Sequence, residues 1–184
     1  QEVFEVKNVD LKVGDKMKIK GKIADDASRF CLDMGKDSQE LGLHFNPRFH
    51  DDVDGAVIVC NSKRGGCWGS EQRDPNFPFQ KGEMVKVREV AQRSNHVSLT
   101  VSLSVSLSQS LSLSQSLSVH IEGICLCVSL TVSLSQFTVK VLSDCFEIEL
   151  PSGHIVVFPN HLSLDKISYI RVKGDFKVLS FKFD

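Results

Sequence analysis

The sequence predicts an all-β protein: an antiparallel, two-sheet sandwich of the jelly-roll type, with a low-complexity insertion near its centre. Three observations predict it. Turn residues recur at roughly 10-residue intervals along most of the chain. The stretches between them alternate apolar and polar residues with a period of two, and no 3.6-residue period is sustained. Many short strands at this spacing point to a β-sandwich rather than to helices laid on a sheet.

Taken in order, the first turn signal is Val13-Gly14-Asp15, and Met17-Lys18-Ile19-Lys20-Gly21 follows it as an alternating strand. Ala24-Asp25-Asp26 turns the chain into Phe30-Cys31-Leu32-Asp33-Met34, which Gly35-Lys36-Asp37 ends. His44-Phe45-Asn46-Pro47-Arg48-Phe49 is the next strand, and Asp54-Gly55 returns the chain through Val57-Ile58-Val59 to Gly65-Gly66. Near the end, Cys145-Phe146-Glu147-Ile148-Glu149-Leu150 precedes the turn Pro151-Ser152-Gly153.

The middle is a different material. From Val97 to Ile121 the odd positions are Val, Leu, Gln or Ile, with mostly Ser between them, no Pro and almost no charge. This uninterrupted alternation can form long amphipathic β-structure, yet its repetition confers no preferred register. It is an aggregation hazard rather than a recognition surface.

At 184 residues and 41% hydrophobic content, the chain can bury one good core, so residues 1–184 are expected to form a single domain interrupted by the repeat. Its 22 basic and 23 acidic residues nearly balance, which gives no electrostatic case for nucleic acid or an anionic membrane. Gln1-Glu2-Val3-Phe4 lacks the basic and apolar regions of a signal peptide, and no apolar run reaches the length of a transmembrane helix. The six cysteines then read as free thiols in a reducing compartment. Cys125-Leu126-Cys127 is too tightly spaced for a zinc knuckle and has no suitable His–Cys partner pair, so neither a metal nor a cofactor is expected.

Chemistry concentrates around one strand. In an extended chain His44, Asn46 and Arg48 share a face, with Phe45, Pro47 and Phe49 on the other. Glu71 and Arg73 repeat the spacing downstream, near Asn61 and the single Trp, Trp68. An imidazole, amides, two guanidinium groups and one carboxylate beside an indole suit a hydroxyl-rich ligand with one apolar face, which is a sugar. Hydrolysis is poorly served. It needs two carboxyl groups about 5 Å or roughly 6.5–9.5 Å apart, and Glu71, the only carboxylate in the motif, sits between two arginines that favour its charged form.

These residues, with Val59-Cys60-Asn61-Ser62, Trp68-Gly69-Ser70-Glu71-Gln72-Arg73, Phe77-Pro78-Phe79-Gln80, Leu150-Pro151-Ser152-Gly153-His154, Phe158-Pro159-Asn160 and Gly174-Asp175-Phe176-Lys177, resemble the landmarks of a galectin, in order. The resemblance is to the prototype kind with one carbohydrate-recognition domain, and it covers residues 1–86 and 137–184. Residues 87–136 have no counterpart; removing them leaves 134 residues and joins Met84-Val85-Lys86 to Phe137-Thr138-Val139-Lys140-Val141 as one alternating strand. Val87-Arg88 can be encoded as a splice donor, Gln136 as an acceptor, and the Ser/Leu/Val repeat as a pyrimidine-rich tract, so the segment resembles a translated intron. A genuine inserted loop is the alternative.

The resemblance implies a β-galactoside groove on one concave sheet. His44, Asn46 and Arg48 would bond the axial O4 of galactose, Trp68 would stack on its C–H face, and Asn61 and Glu71 would hold O6 and the neighbouring sugar's O3. Arg73 would reach the second sugar, and Asp52 and Asp54 are possible rim contacts, since the further His that prototype galectins often carry is replaced here by His50-Asp51-Asp52-Val53-Asp54. Val3-Phe4-Glu5-Val6 and Lys177-Val178-Leu179-Ser180-Phe181-Lys182-Phe183 resemble the terminal strands through which such proteins pair as homodimers. By the same resemblance the expected partners are galactose-bearing glycoproteins and glycolipids, and the expected location is the cytoplasm, with export that needs no signal peptide. A lens-crystallin-like structural role and a misprocessed, poorly folding isoform are the competing expectations.

Overall fold

The computed structural model describes residues 2–82, 84–88, 115–121, 124–131 and 134–184. Strands β1 (Glu2–Lys12) and β2 (Lys16–Ile23) flank the first turn, where the Asp15 carboxylate accepts the Lys12 amide at 2.8 Å. An antiparallel meander follows: β3 (Phe30–Gly35), β4 (Leu41–Asp51) and β5 (Gly55–Arg64), then the short β6 (Cys67–Trp68) and β7 (Gln72–Asp74). β8 (Met84–Arg88), β9 (Gln115–Ile121) and β10 (Ile124–Thr131) come next. The chain closes with β11 (Ser135–Val141), β12 (Cys145–Glu149), β13 (Ile155–Pro159), β14 (Lys166–Gly174) and β15 (Phe176–Phe183).

The chain divides into two compact units, one of residues 1–82 and 134–184, the other of 83–133. In the first, one sheet runs β1-β14-β3-β4-β5-β6 with β7 also on β5, and a second runs β13-β12-β11-β2-β15. All their pairings are antiparallel. Alternation dictates which faces meet. β2 buries Met17, Ile19 and Ile23, and β11 buries Phe137, Val139 and Val141, leaving the lysines between them outside. Against these the first sheet sets Phe30, Leu32, Met34, Leu43 and Phe45. Phe30 stacks on Phe176 at 4.8 Å and meets Phe79 edge-on at 5.3 Å, while Phe137 lies 5.4 Å from Phe45. Truncating such a fully enclosed ring costs about 3–5 kcal/mol.

The second unit contains the sheet β8-β10-β9, whose register sets Val128 opposite both Val87 and Leu117. Most of the repeat from Val97 onward, residues 97–114, lies outside the described residues. The division falls at 83–133, a few residues ahead of the 87–136 read from the sequence. Met84-Val85-Lys86 pairs with β10, whereas Ser135 and Gln136 lead into Phe137 within β11, opposite Gly21 and Lys20. The reason is periodicity. The last residues of the repeat supply an extended backbone as well as Val85 and Lys86 would, but in the wrong phase: Ser135 is buried and Leu134 only half-buried. Extending β11 further upstream would keep turning serines inward, so the strand ends there.

Candidate carbohydrate-binding groove

The outer face of the β1–β6 sheet is a groove of about 650 Å³, within the range of ligand sites. Among the residues that line it are His44, Asn46, Arg48, Asn61, Trp68 and Glu71. β4 places His44, Asn46 and Arg48 in a row, as alternation requires, and the register sets His44 against Asn61 on β5. Trp68 lies on β6 opposite Lys63, and Arg73 lies on β7 opposite Val59. Six of the seven binding residues expected from the sequence line the groove; Arg73 does not line it but bonds Glu71, which does.

Each polar group is held by a neighbour. Asn46 is buried; its Nδ2 donates to the Phe30 carbonyl at 2.7 Å, and its Oδ1 accepts Arg48 Nε at 2.9 Å. That fixes which amide atom faces the groove. Arg48 also donates to Asp51 at 2.8 Å and approaches Glu71 at 3.4 Å. Arg73 donates to Asp54 at 2.6 Å, to Glu71 at 2.7 Å and to Asp51 at 2.6 Å. Asp51 thus bridges both guanidinium groups. The Arg48 hydrogen bond, the Val53 and Asp54 amides and the Arg73 charge hold its carboxyl at about 2 against the opposing effect of desolvation. The hydrogen bonds from Arg73 to Asp54 and Glu71 raise the arginine's own pKa.

His44 is oriented from beneath. Its Nδ1 meets Asp33 Oδ1, while Asp33 Oδ2 takes two bonds from Arg171, at 3.0 and 2.7 Å. Burial works to raise the Asp33 carboxyl; the His44 hydrogen bond and charge and the Arg171 guanidinium outweigh it and leave the group below its ordinary value. With Nδ1 held by the Asp33 carboxylate, the ring turns Nε2 toward the groove. Trp68 stands 52% exposed, its ring 4.8 Å from the His44 ring and 5.3 Å under the Lys63 ammonium. A half-exposed indole held by both neighbours is a platform rather than a core residue.

Of the two possible rim residues, Asp54 is engaged by Arg73 and Asp52 is exposed outside this network. Three supporting residues were missed: Asp33, Asp51 and Arg171. For Asp33 a signal existed, a carboxylate in the middle of the apolar run Phe30-Cys31-Leu32-Asp33-Met34. Cys31, Asp33 and His44 also bring their ligand atoms within 4.8 Å of one another. A cation there would compete with Arg171 for Asp33 and would have to deprotonate a Cys31 thiol that burial and the Asp33 charge push up to about 12. The trio suits a structural network better than a metal. Cys31, Cys60, Cys67 and Cys145 are all free thiols. Among the described residues, no helix is long and apolar enough to cross a membrane.

Comparison with known proteins agrees with this geometry. The profile of the galactoside-binding lectin family matches residues 3–103 and 131–183. Galectin-1 of Mus musculus is 34% identical over 177 residues, spanning 96% of this chain and 94% of the mouse protein. The 16 kDa beta-galactoside-binding lectin of Gallus gallus is 36% identical over 180 residues, spanning 97% and 95%. Among solved structures, chicken galectin 2 matches with a TM-score of 0.67 at 35% identity, covering 98% of both chains. CG-16, a homodimeric agglutinin from chicken liver, matches with a TM-score of 0.69 at 30% identity, covering 100% of both. By family profile, by relatives and by fold, the chain belongs to the galactoside-binding lectins, the galectins.

Proposed function

We propose that this groove binds β-galactosides, as galactose-terminated or N-acetyllactosamine-type glycans of glycoproteins and glycolipids, without transforming them. The observation that carries the reading is the fixed polarity of the His44-Asn46-Arg48 row beside the half-exposed Trp68. A galactose laid with its C–H face on Trp68 directs its axial O4 at His44 Nε2, Asn46 Oδ1 and the Arg48 guanidinium. Glucose, with that hydroxyl equatorial, leaves these groups unpaired, and unpaired buried polar groups are what rejects an analogue. Asn61 Oδ1 already accepts the Ser62 amide at 2.8 Å, which leaves its Nδ2 for O6 together with Glu71. Glu71 and Arg73 extend the site toward the second sugar. Glu71 is bound to two arginines and has no second carboxylate lining the groove, so the reading is a lectin and not a hydrolase.

The same reading makes the protein a glycan-crosslinking homodimer. β1 and β15 are edge strands of their two sheets and meet through Phe4 and Phe181 at 5.5 Å, with Val3, Leu179 and Phe183 exposed beside them. Two such edges favour a two-fold pairing. Residence in the cytoplasm, with export independent of a signal peptide, belongs to this reading as well. The test is thermal unfolding and calorimetry with lactose and maltose. Lactose is expected to bind and to raise the melting temperature, and maltose to do neither; equal shifts would refute the axial-hydroxyl argument.

A further inference from the structure

Folding segregates the charges that nearly balance along the chain. The sheet that does not carry the groove has an outer face of its own, built from β13, β12, β11, β2 and β15. With Met17, Ile19 and Ile23 turned inward, β2 sets Lys16, Lys18, Lys20 and Lys22 in one outward row. At the rise of a strand that row is about 20 Å long. On the neighbouring β15, Lys182 stands opposite Lys18 and Lys177 opposite Lys22. The lysines thus form a band two strands wide.

This arrangement works against the fold, because like charges directly opposite one another on paired strands repel. On the first sheet, Lys7, Lys12 and Lys166 each have a carboxylate oxygen within 3.5 Å. Lys18, Lys20 and Lys182 form no ion pair among the described residues. No outward position of β2, β15 or β11 holds a carboxylate. Acids stand only at the margins of the band. The Asp25-Asp26 turn follows one end of β2, and Asp184 joins Lys16 by backbone bonds at the other. Glu147 and Glu149 lie on β12, with all of β11 between them and the lysine row.

We infer that this band is a docking surface for a sulfated polysaccharide, a linear polyanion laid along β2 and β15. Charge complementarity carries the inference, and the shape of the face selects the partner. Two strands about 5 Å apart present their ammonium groups along one direction, which matches a single extended chain of sulfate esters. A flat anionic membrane resting on this sheet would also meet Glu147 and Glu149, which repel it. Single-stranded nucleic acid is held by rings on which its bases stack, and no outward position of β2, β11 or β15 carries an aromatic side chain. The band lies on the sheet opposite the galactoside groove, so it stands apart from that reading and both faces can be occupied at once.

Calorimetry on the full chain tests this with a heparin oligosaccharide, phosphatidylserine vesicles and a single-stranded oligonucleotide. Heparin is expected to bind, and its affinity to fall about tenfold from low to high salt as several exposed charges are screened. Saturating lactose should not displace it. Lys20→Gln should weaken heparin about threefold, the scale of one exposed ion pair. Lys18→Glu is the sharper variant, because it sets a carboxylate opposite Lys182. Its melting temperature should rise by about 1–3 °C while heparin affinity falls about fivefold. A merely structural role for these lysines would not move stability and heparin binding in opposite directions. Lactose affinity should be unchanged in both variants. No heparin binding, equal binding by both variants, or displacement by lactose overturns the inference. Vesicles or the oligonucleotide binding as tightly, at equal charge concentration, overturns the polysaccharide as the partner. Failure of lactose to bind overturns the galactoside reading alone.

Discussion

Replacing Asp33, a carboxylate that touches no sugar, should weaken both the fold and the binding. Asp33 is 1% exposed and serves His44 on one oxygen and Arg171 on the other. Asp33→Ala strands a guanidinium whose side chain is only 24% exposed and frees the His44 ring. Breaking a buried ion pair by removing one partner costs about 3–5 kcal/mol. The groups left behind, His44 and Arg171, keep some access to water, so the lower end, about 3 kcal/mol, applies, or a fall in melting temperature of roughly 6–12 °C. Sugar affinity should drop about tenfold as His44 loses its fixed orientation. Asp33→Asn keeps the shape and should lie between. Because the folded carboxyl titrates below its ordinary 3.8, the folded state binds fewer protons than the unfolded one around that pH. Stability from this group is therefore present above that value and lost as the pH falls through and below it. Differential scanning calorimetry across acid pH and lactose titration at neutral pH read both effects. A melting temperature unchanged in Asp33→Ala, with unaltered lactose affinity and an unaltered acid limb, would refute the claim that this carboxylate organises the site.

Trp68→Ala should cut lactose affinity about 30-fold by removing the stacking platform, and Arg48→Ala should also abolish most binding; Asp184→Ala, by contrast, should leave titration curves unchanged. Deleting residues 87–136 would place Val85 where the buried Ser135 now stands. The 134-residue form should gain about 1 kcal/mol of stability, give more soluble protein than the full chain and bind lactose similarly, which soluble yield and calorimetry compare directly. Sedimentation of that form at tens of micromolar should show a dimer; a monomer would contradict pairing through β1 and β15.

Much of the fold was legible because period-two alternation is read off directly, and Met17, Ile19, Phe137 and Val139 are buried as their spacing requires. The row that lines the groove was legible for the same reason: His44, Asn46 and Arg48 share a face by spacing alone. What supports them was not. Asp33 reaches His44 across β3 and β4, and Arg171 reaches Asp33 from a strand 138 positions away, a proximity created by sheet order and invisible to local pattern. Asp51 looked like one of a run of loop acids, yet only Asp51 and Asp54 of that run join the arginine network. The structural division at 83–133 and the 87–136 read from the family pattern differ by a few residues because an alternating repeat supplies an extended strand wherever it is cut.

That repeat meets β11 out of step, and the mismatch behaves like punctuation in the gene. Ahead of Phe137 the apolar residues Leu130, Val132 and Leu134 fall on even positions, whereas Phe137, Val139 and Val141 fall on odd ones. Loss of the single codon for Gln136 would bring the two into step, Leu134 taking the inward place that Ser135 holds now. The sandwich strand could then grow upstream into the repeat, two residues at a time. Lengthening or shortening of the tract farther upstream leaves this junction untouched, so drift in repeat number is harmless to the sandwich strand while one codon at the seam is not.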